Sequence, residues 1–145
     1  LVSSGEGYVG KIEFVGNEWH VVPVRVGNDY DAIVDLSASK GFELTYSATA
    51  DFYVQLRPAS HWSGGDKWLA LVPSTGGQIQ SVFFPFDATS WTTLPALGTP
   101  SYSVDEARSE LRGLVFVGQT PNVIEFHGLR FDGYVPECND SLPPL

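Results

Sequence analysis

Phe52-Tyr53-Val54-Gln55-Leu56-Arg57, stopped by Pro58, alternates strictly between aliphatic or aromatic residues and residues with a polar end. Side chains of a strand point to opposite faces in turn, so Phe52, Val54 and Leu56 form one apolar face. Tyr53, Gln55 and Arg57 form the other. A helix would instead bring together residues three and four apart, which this stretch does not favour. The same period of two recurs on both sides, over 8–14, 19–26, 31–36, 42–47, 68–72, 79–86, 114–117 and 123–131. Gly, Pro, Asn and Asp separate the runs, as at Gly16-Asn17, Gly76-Gly77 and Pro121-Asn122. That makes nine or so short strands punctuated by turn residues. Pro85 lies near the end of its run and marks an edge strand or a bulge.

One helix interrupts the pattern. Ser103 followed by Glu106 forms a capping box, and the helix is expected to run on to about Arg112. Asp105 and Glu106 suit the positive end of its dipole. The stretch 87–102, with Trp91, Pro95, Gly98 and Pro100, reads as a long crossover loop. Many short strands, one long crossover and one short helix within it predict an all-β fold, an antiparallel β-sandwich of jelly-roll type. A lipocalin-like barrel is the main rival. The chain, 1–145, is expected to be a single domain with a core over about 6–135 and a tail over 136–145.

Composition narrows the partners. Seventeen Asp and Glu against eight Lys and Arg give a formal net charge of −9. Such a chain lacks the cationic stripe that displaces counterions from nucleic acid. Its field also repels anionic membranes and polyuronates. No stretch has the length of a membrane span. With no Met and a start at Leu1, the sequence reads as a processed protein or an excised module. The single Cys138, beside the glycosylation sequon Asn139-Asp140-Ser141, favours a secreted, extracellular origin.

The polar face of 52–57 is the candidate binding surface. Same-face residues of a strand stand about 7 Å apart, so three in line follow a linear ligand. Tyr53 offers a ring for the apolar face of a sugar, and Gln55 and Arg57 offer hydrogen bonds to hydroxyls. In the next strand Leu69 and Leu71 read as core, which leaves Trp68 and Ala70 on the binding side. Phe83, between the core residues Val82 and Phe84, is expected to join them. Trp62, in a loop with Ser63, Gly64, Gly65 and Asp66, reads as the edge of the platform. Gln119 and Asn122 either reach the ligand or cap a turn, while Trp19 and Trp91 read as structural. The acids lie mostly elsewhere, so the platform itself is expected to be close to neutral.

Other chemistry has weaker support. The three histidines, at 20, 61 and 127, lack the short spacing of a zinc site. Oxygen ligands are plentiful, and a structural calcium held by Glu6 and Asp132 is the expected metal site. Glu43 and Glu125 lie on strands and are the carboxylates a glycosidase would need, although nothing in the sequence pairs them. A lyase would draw on Tyr53, Arg57 and His61. A nucleophile elbow is absent, and no catalytic residue is expected.

The runs Asp51-Phe52-Tyr53-Val54-Gln55-Leu56-Arg57, Phe84-Pro85-Phe86 with Trp91, Leu114-Val115-Phe116-Val117-Gly118 and Ile124 to Asp132 resemble the galactose-binding-like jelly rolls. These occur as carbohydrate-binding modules of plant-cell-wall hydrolases, of the family 11 type, and in the related domain of complex I assembly factors. The resemblance implies a groove on a concave sheet containing Tyr53, Gln55, Arg57 and Trp68, no catalysis, and a structural calcium far from the groove. The expected function is therefore non-catalytic binding of a neutral polysaccharide of β-glucan type, targeting an attached glycoside hydrolase. A small polysaccharide-degrading enzyme and a protein-interaction domain are the alternatives.

Overall fold

Eight strands form two four-stranded antiparallel sheets in a computed structural model that describes residues 10–26, 32–63 and 67–134. They are β1 (Gly10–Phe14), β2 (His20–Arg25), β3 (Gly41–Ala48), β4 (Phe52–Pro58), β5 (Leu69–Val72), β6 (Gln80–Pro85), β7 (Leu111–Gly118) and β8 (Asn122–Phe131). One sheet has the order β1-β8-β3-β6 and the other β2-β7-β4-β5. The pairs β1·β8, β2·β7, β3·β6 and β4·β5 are those of one long ribbon folded at its middle. Rolling that ribbon adds the pairs β3·β8 and β4·β7 and splits it between two sheets. This is the jelly roll, with its two interlocked Greek keys.

The core lies between the sheets and follows the alternation. Phe52, Val54 and Leu56 are buried on β4, as are Leu44 and Tyr46 on β3 and Ile124 and Phe126 on β8. Phe42 gathers Phe84, Phe86, Trp91 and Phe131 within 5.2–6.2 Å, ring to ring. Such offset and tilted contacts suit the ring quadrupoles. Trp91 is structural, as expected: its Nε1 donates to Pro85 O at 2.8 Å and ties the crossover to the sheet. Pro85 lies on β6, an edge strand.

Three expectations are corrected. Residues 32–36 form no strand; Val34 makes one isolated bridge to Leu111, and residue 31 lies outside the described residues. The helix α1 (Val104–Ser109) is capped as expected, with Ser103 Oγ accepting from Glu106 N at 3.1 Å. It ends before Arg112, and β7 begins at Leu111 because Leu111 is drawn into the core. On β5 the two faces are exchanged. Val54 pairs with Ala70 and Phe52 with Val72, so Ala70 and Val72 face the core while Leu69 and Leu71 face outward. With apolar residues at every position of 69–72, alternation carries no phase, and the partner strand sets it.

Asn122 is a buried structural side chain that closes the β3–β4 turn. Its Oδ1 accepts from the N–H groups of Thr49 and Ala50, each at 3.0 Å, and its Nδ2 donates to Ala50 O at 2.8 Å. Removing it leaves the Ala50 N–H without this partner and the Thr49 N–H with only its 3.3 Å bond to Val123 O. Asn122→Ala should lose about 3 kcal/mol of unfolding free energy in urea denaturation.

Candidate functional site

The outward face of the β2-β7-β4-β5 sheet is built in rows by strand register. Val21, Val117, Tyr53 and Leu71 form one row, and Pro23, Val115, Gln55 and Leu69 the next. Arg25, Gly113 and Arg57 form a third. Tyr53 and Arg57, four residues apart, stand about 13 Å from each other along the strand. The floor of this face is the central strand β7, whose Val115 and Val117 are buried although they point away from the core. The sequence of β7 shows this in advance: Leu114-Val115-Phe116-Val117 is apolar on both faces.

At one end of the face lies an open cleft of about 420 Å³. Trp19, Tyr53, Leu71, Leu94 and Pro95 give it apolar walls, and Asp51, Gln119 and Thr120 supply polar groups. The crossover reaches it because Thr92 exchanges two backbone hydrogen bonds with Leu69, at 2.8 and 2.9 Å, along the free edge of β5. Asp51 is fixed by Ser74 N, which donates to its Oδ1 at 2.7 Å. The expected ligand residues Tyr53 and Gln119 meet here. Trp19, read from the sequence as structural, is instead 41% exposed and lines the cleft, as does half-exposed Leu71. A Trp opening a Val-rich strand looks like a packing residue; its phase, shared with outward Val21 and Pro23, was the available signal.

Gln55 and Arg57 continue the face. Arg57 Nε and Nη2 donate to Gln55 Oε1, both at 3.3 Å, and Nη1 donates to Trp62 O at 3.3 Å. Burial holds the Arg57 guanidinium below its ordinary pKa. The Trp62 ring lies over Gly113, where a Cβ would stand 3.5 Å from it. The guanidiniums of Arg112 and Arg57 lie 4.3 and 5.6 Å from its centre, within cation–π range. Trp62 is thus at the edge of the face, as expected, but it serves as a support for two arginines.

Two expected members lie elsewhere. Trp68 has the phase of Ala70, packs against the core, and donates from Nε1 to Tyr102 O at 2.7 Å. Phe83 is exposed as expected, at 45%, but β6 belongs to the other sheet, so it stands on the opposite side of the molecule. Glu43 and Glu125 also lie on that opposite sheet. Glu43 pairs with Arg130 at 4.0 Å and Glu125 with His127 at 3.6 Å, and the register sets them about 13 Å apart along the strands, too far for a dyad. His61 is held by Ser60 and by the Tyr102 ring, whose centre is 4.4 Å away, and it does not join Tyr53.

For calcium, Asp132 and Asp35 line a crevice of about 130 Å³ with Ser39. Asp132 Oδ2 accepts from Lys40 N at 2.9 Å, and Asp35 Oδ1 accepts from the Ser37 hydroxyl and from Ser37 N at 2.9 Å, which together lower the Asp35 pKa. Two carboxylates do not make a calcium cage by themselves. No group of three His, Cys, Asp or Glu side chains positioned for a metal occurs among the described residues. Glu6, Cys138 and the sequon lie outside the described residues.

The exchange of Trp68 for Trp19 has a direct test. Trp68→Ala should cost roughly 3 kcal/mol of stability, as a core truncation with a lost hydrogen bond. Trp19→Ala should cost less than about 1 kcal/mol. Urea denaturation of both variants measures the contrast.

No protein-family model and no curated protein matches this chain. Among solved structures, the chain is similar to the family 11 carbohydrate-binding module of the cellulosomal cellulase Lic26A-Cel5E of Clostridium thermocellum. The similarity has a TM-score of 0.50 and 12% identity, over 88% of this chain and 89% of that one. A structure of deformed wing virus, a honeybee pathogen, matches at a TM-score of 0.29 and 14% identity, over 97% of this chain and 79% of that one. The first of these supports the β-sandwich fold that the strand order already gave.

Proposed function

We propose that the outward face of the β2-β7-β4-β5 sheet binds a neutral polysaccharide of β-glucan type without cleaving it, and that the chain tethers an attached glycoside hydrolase to its substrate outside the cell. The observation that carries this reading is the cleft in which Trp19 and Tyr53 stand beside Asp51 and Gln119, on a sheet face with an apolar floor. Sugar rings have apolar faces edged by hydroxyls, and this surface offers both kinds of contact. Each well-placed ring contributes about 1–3 kcal/mol through apolar burial and stacking. Asp51 and Gln119 accept or donate hydrogen bonds at the rim. Gln55 and Arg57 extend the contact along a linear chain. The fold likeness to a carbohydrate-binding module is consistent with this use.

Affinity gel electrophoresis against soluble glucans tests the reading. A β-glucan in the gel should retard the protein, and Tyr53→Ala or Trp19→Ala should weaken retardation roughly ten-fold or more, with little change in thermal midpoint. No retardation by any polysaccharide would refute it. Sugar release lost in Glu43→Gln or Glu125→Gln would replace it with an enzyme.

The calcium expectation is a separate part of the proposal, supported by the crevice that Asp132 shares with Asp35. Calcium held by Asp132 and Glu6 should raise the thermal midpoint over that in chelator, and Asp132→Ala should abolish the difference.

A further inference from the structure

Among the described residues, the face that carries the aromatic cleft ends in a cluster of arginines. Arg25 and Arg57 are both register partners of Gly113, one on each neighbouring strand, and Arg112 precedes it in the chain. Three of the eight Lys and Arg in a chain of net charge −9 therefore surround one glycine. Arg25 and Arg57 stand about 10 Å apart across β7, on the same face. Gly113 leaves the space between them free of a side chain of its own, and the Trp62 ring rests over it.

Among the described residues, Arg57 is turned toward groups that do not neutralise it. Its three hydrogen bonds go to an amide oxygen and a backbone carbonyl. Nε spends its single hydrogen on Gln55, while Nη1 and Nη2 each spend one of two, so each keeps one N–H. Glu110, the carboxylate closest in sequence to this group, accepts from the N–H and hydroxyl of Ser60. Asp51 lies at the other end of the face, bound to Ser74. A half-buried guanidinium with two remaining donors, oriented by Gln55 and Trp62, is suited to a planar anion that accepts from both.

We propose that this end of the face is a subsite for a carboxylate: Arg57 and Arg25 take the carboxylate of a uronic-acid unit on an otherwise neutral polysaccharide whose backbone lies toward Trp19 and Tyr53. The inference rests on polysaccharide binding by the same face and specifies which polymers it prefers. Sparse substitution is part of the specification. A polyuronate brings a charge with nearly every sugar and is repelled by the net −9, whereas one carboxylate meets chiefly the local arginines.

The test compares a soluble β-glucan with the same polymer sparsely oxidised to uronate at C6, by affinity electrophoresis and calorimetry on the intact chain. The oxidised polymer should bind roughly ten-fold more tightly than its parent, a charge-assisted bidentate contact being the difference. That ratio should fall toward one in Arg57→Gln and in Arg25→Gln, and also at high salt. Arg25 is exposed, so its variant folds whatever happens at Arg57. Reduction of the carboxyl groups back to alcohols should restore parent-like affinity. A ratio of one in the unaltered protein overturns the subsite while leaving neutral-glucan binding intact. Binding of neither polymer overturns both readings.

Discussion

β7 lies inside its sheet with β2 on one side and β4 on the other, and it is apolar on both faces. Everything described at the site depends on that strand. Its core-facing Leu114 and Phe116 join the two sheets, and its outward Val115 and Val117 demand cover of their own. Tyr53, Gln55, Leu71, Val21 and Pro23 flank them on the neighbouring strands. A sheet that must shield a second apolar layer collects aromatic and long side chains on its outer side. The candidate surface is in that sense a by-product of how this strand is buried.

The arrangement also divides the face by chemistry. Where β7 ends, at Gly118, the crossover and the start of β2 bring in rings and hydroxyl-bonding groups. Where β7 begins, its glycine gives room to an indole and two flanking guanidiniums. Both ends use glycine for close approach. At Gly118 a Cβ would come within 2.7 Å of the Phe14 ring, so that position admits no larger residue without displacing the core edge. The rows between them keep the outward side chains in line, because adjacent same-face residues are spaced by the pleat.

Much of this was legible in the sequence, for a definite reason. Alternation in 52–57 assigned Phe52, Val54 and Leu56 to the core and Tyr53, Gln55 and Arg57 to the outside, because the two faces differ in polarity. It failed at 69–72, where they do not, and Trp68 was placed on the wrong side as a result. Phe83 shows a second limit. Its phase was read correctly, but phase distinguishes inside from outside and says nothing about which of two sheets a strand joins. Asp51, Leu94 and Pro95 reach the cleft through strand ends and the crossover, whose path follows from tertiary pairing at Leu69 and Thr92. The cap at Ser103 was local and therefore readable; the end of the helix was set by the burial of Leu111 and was not.

Pro23 and Pro85 sit on β2 and β6, edge strands of different sheets, and the crossover lies along the free edge of β5. Unpaired strand edges are templates on which a second chain can add, and proline removes a donor from them. A protein that gathers on a polymer surface reaches high local density, the condition under which such edges nucleate aggregates. On three of the four sheet edges, proline or the crossover leaves neighbouring copies less free backbone on which to pair.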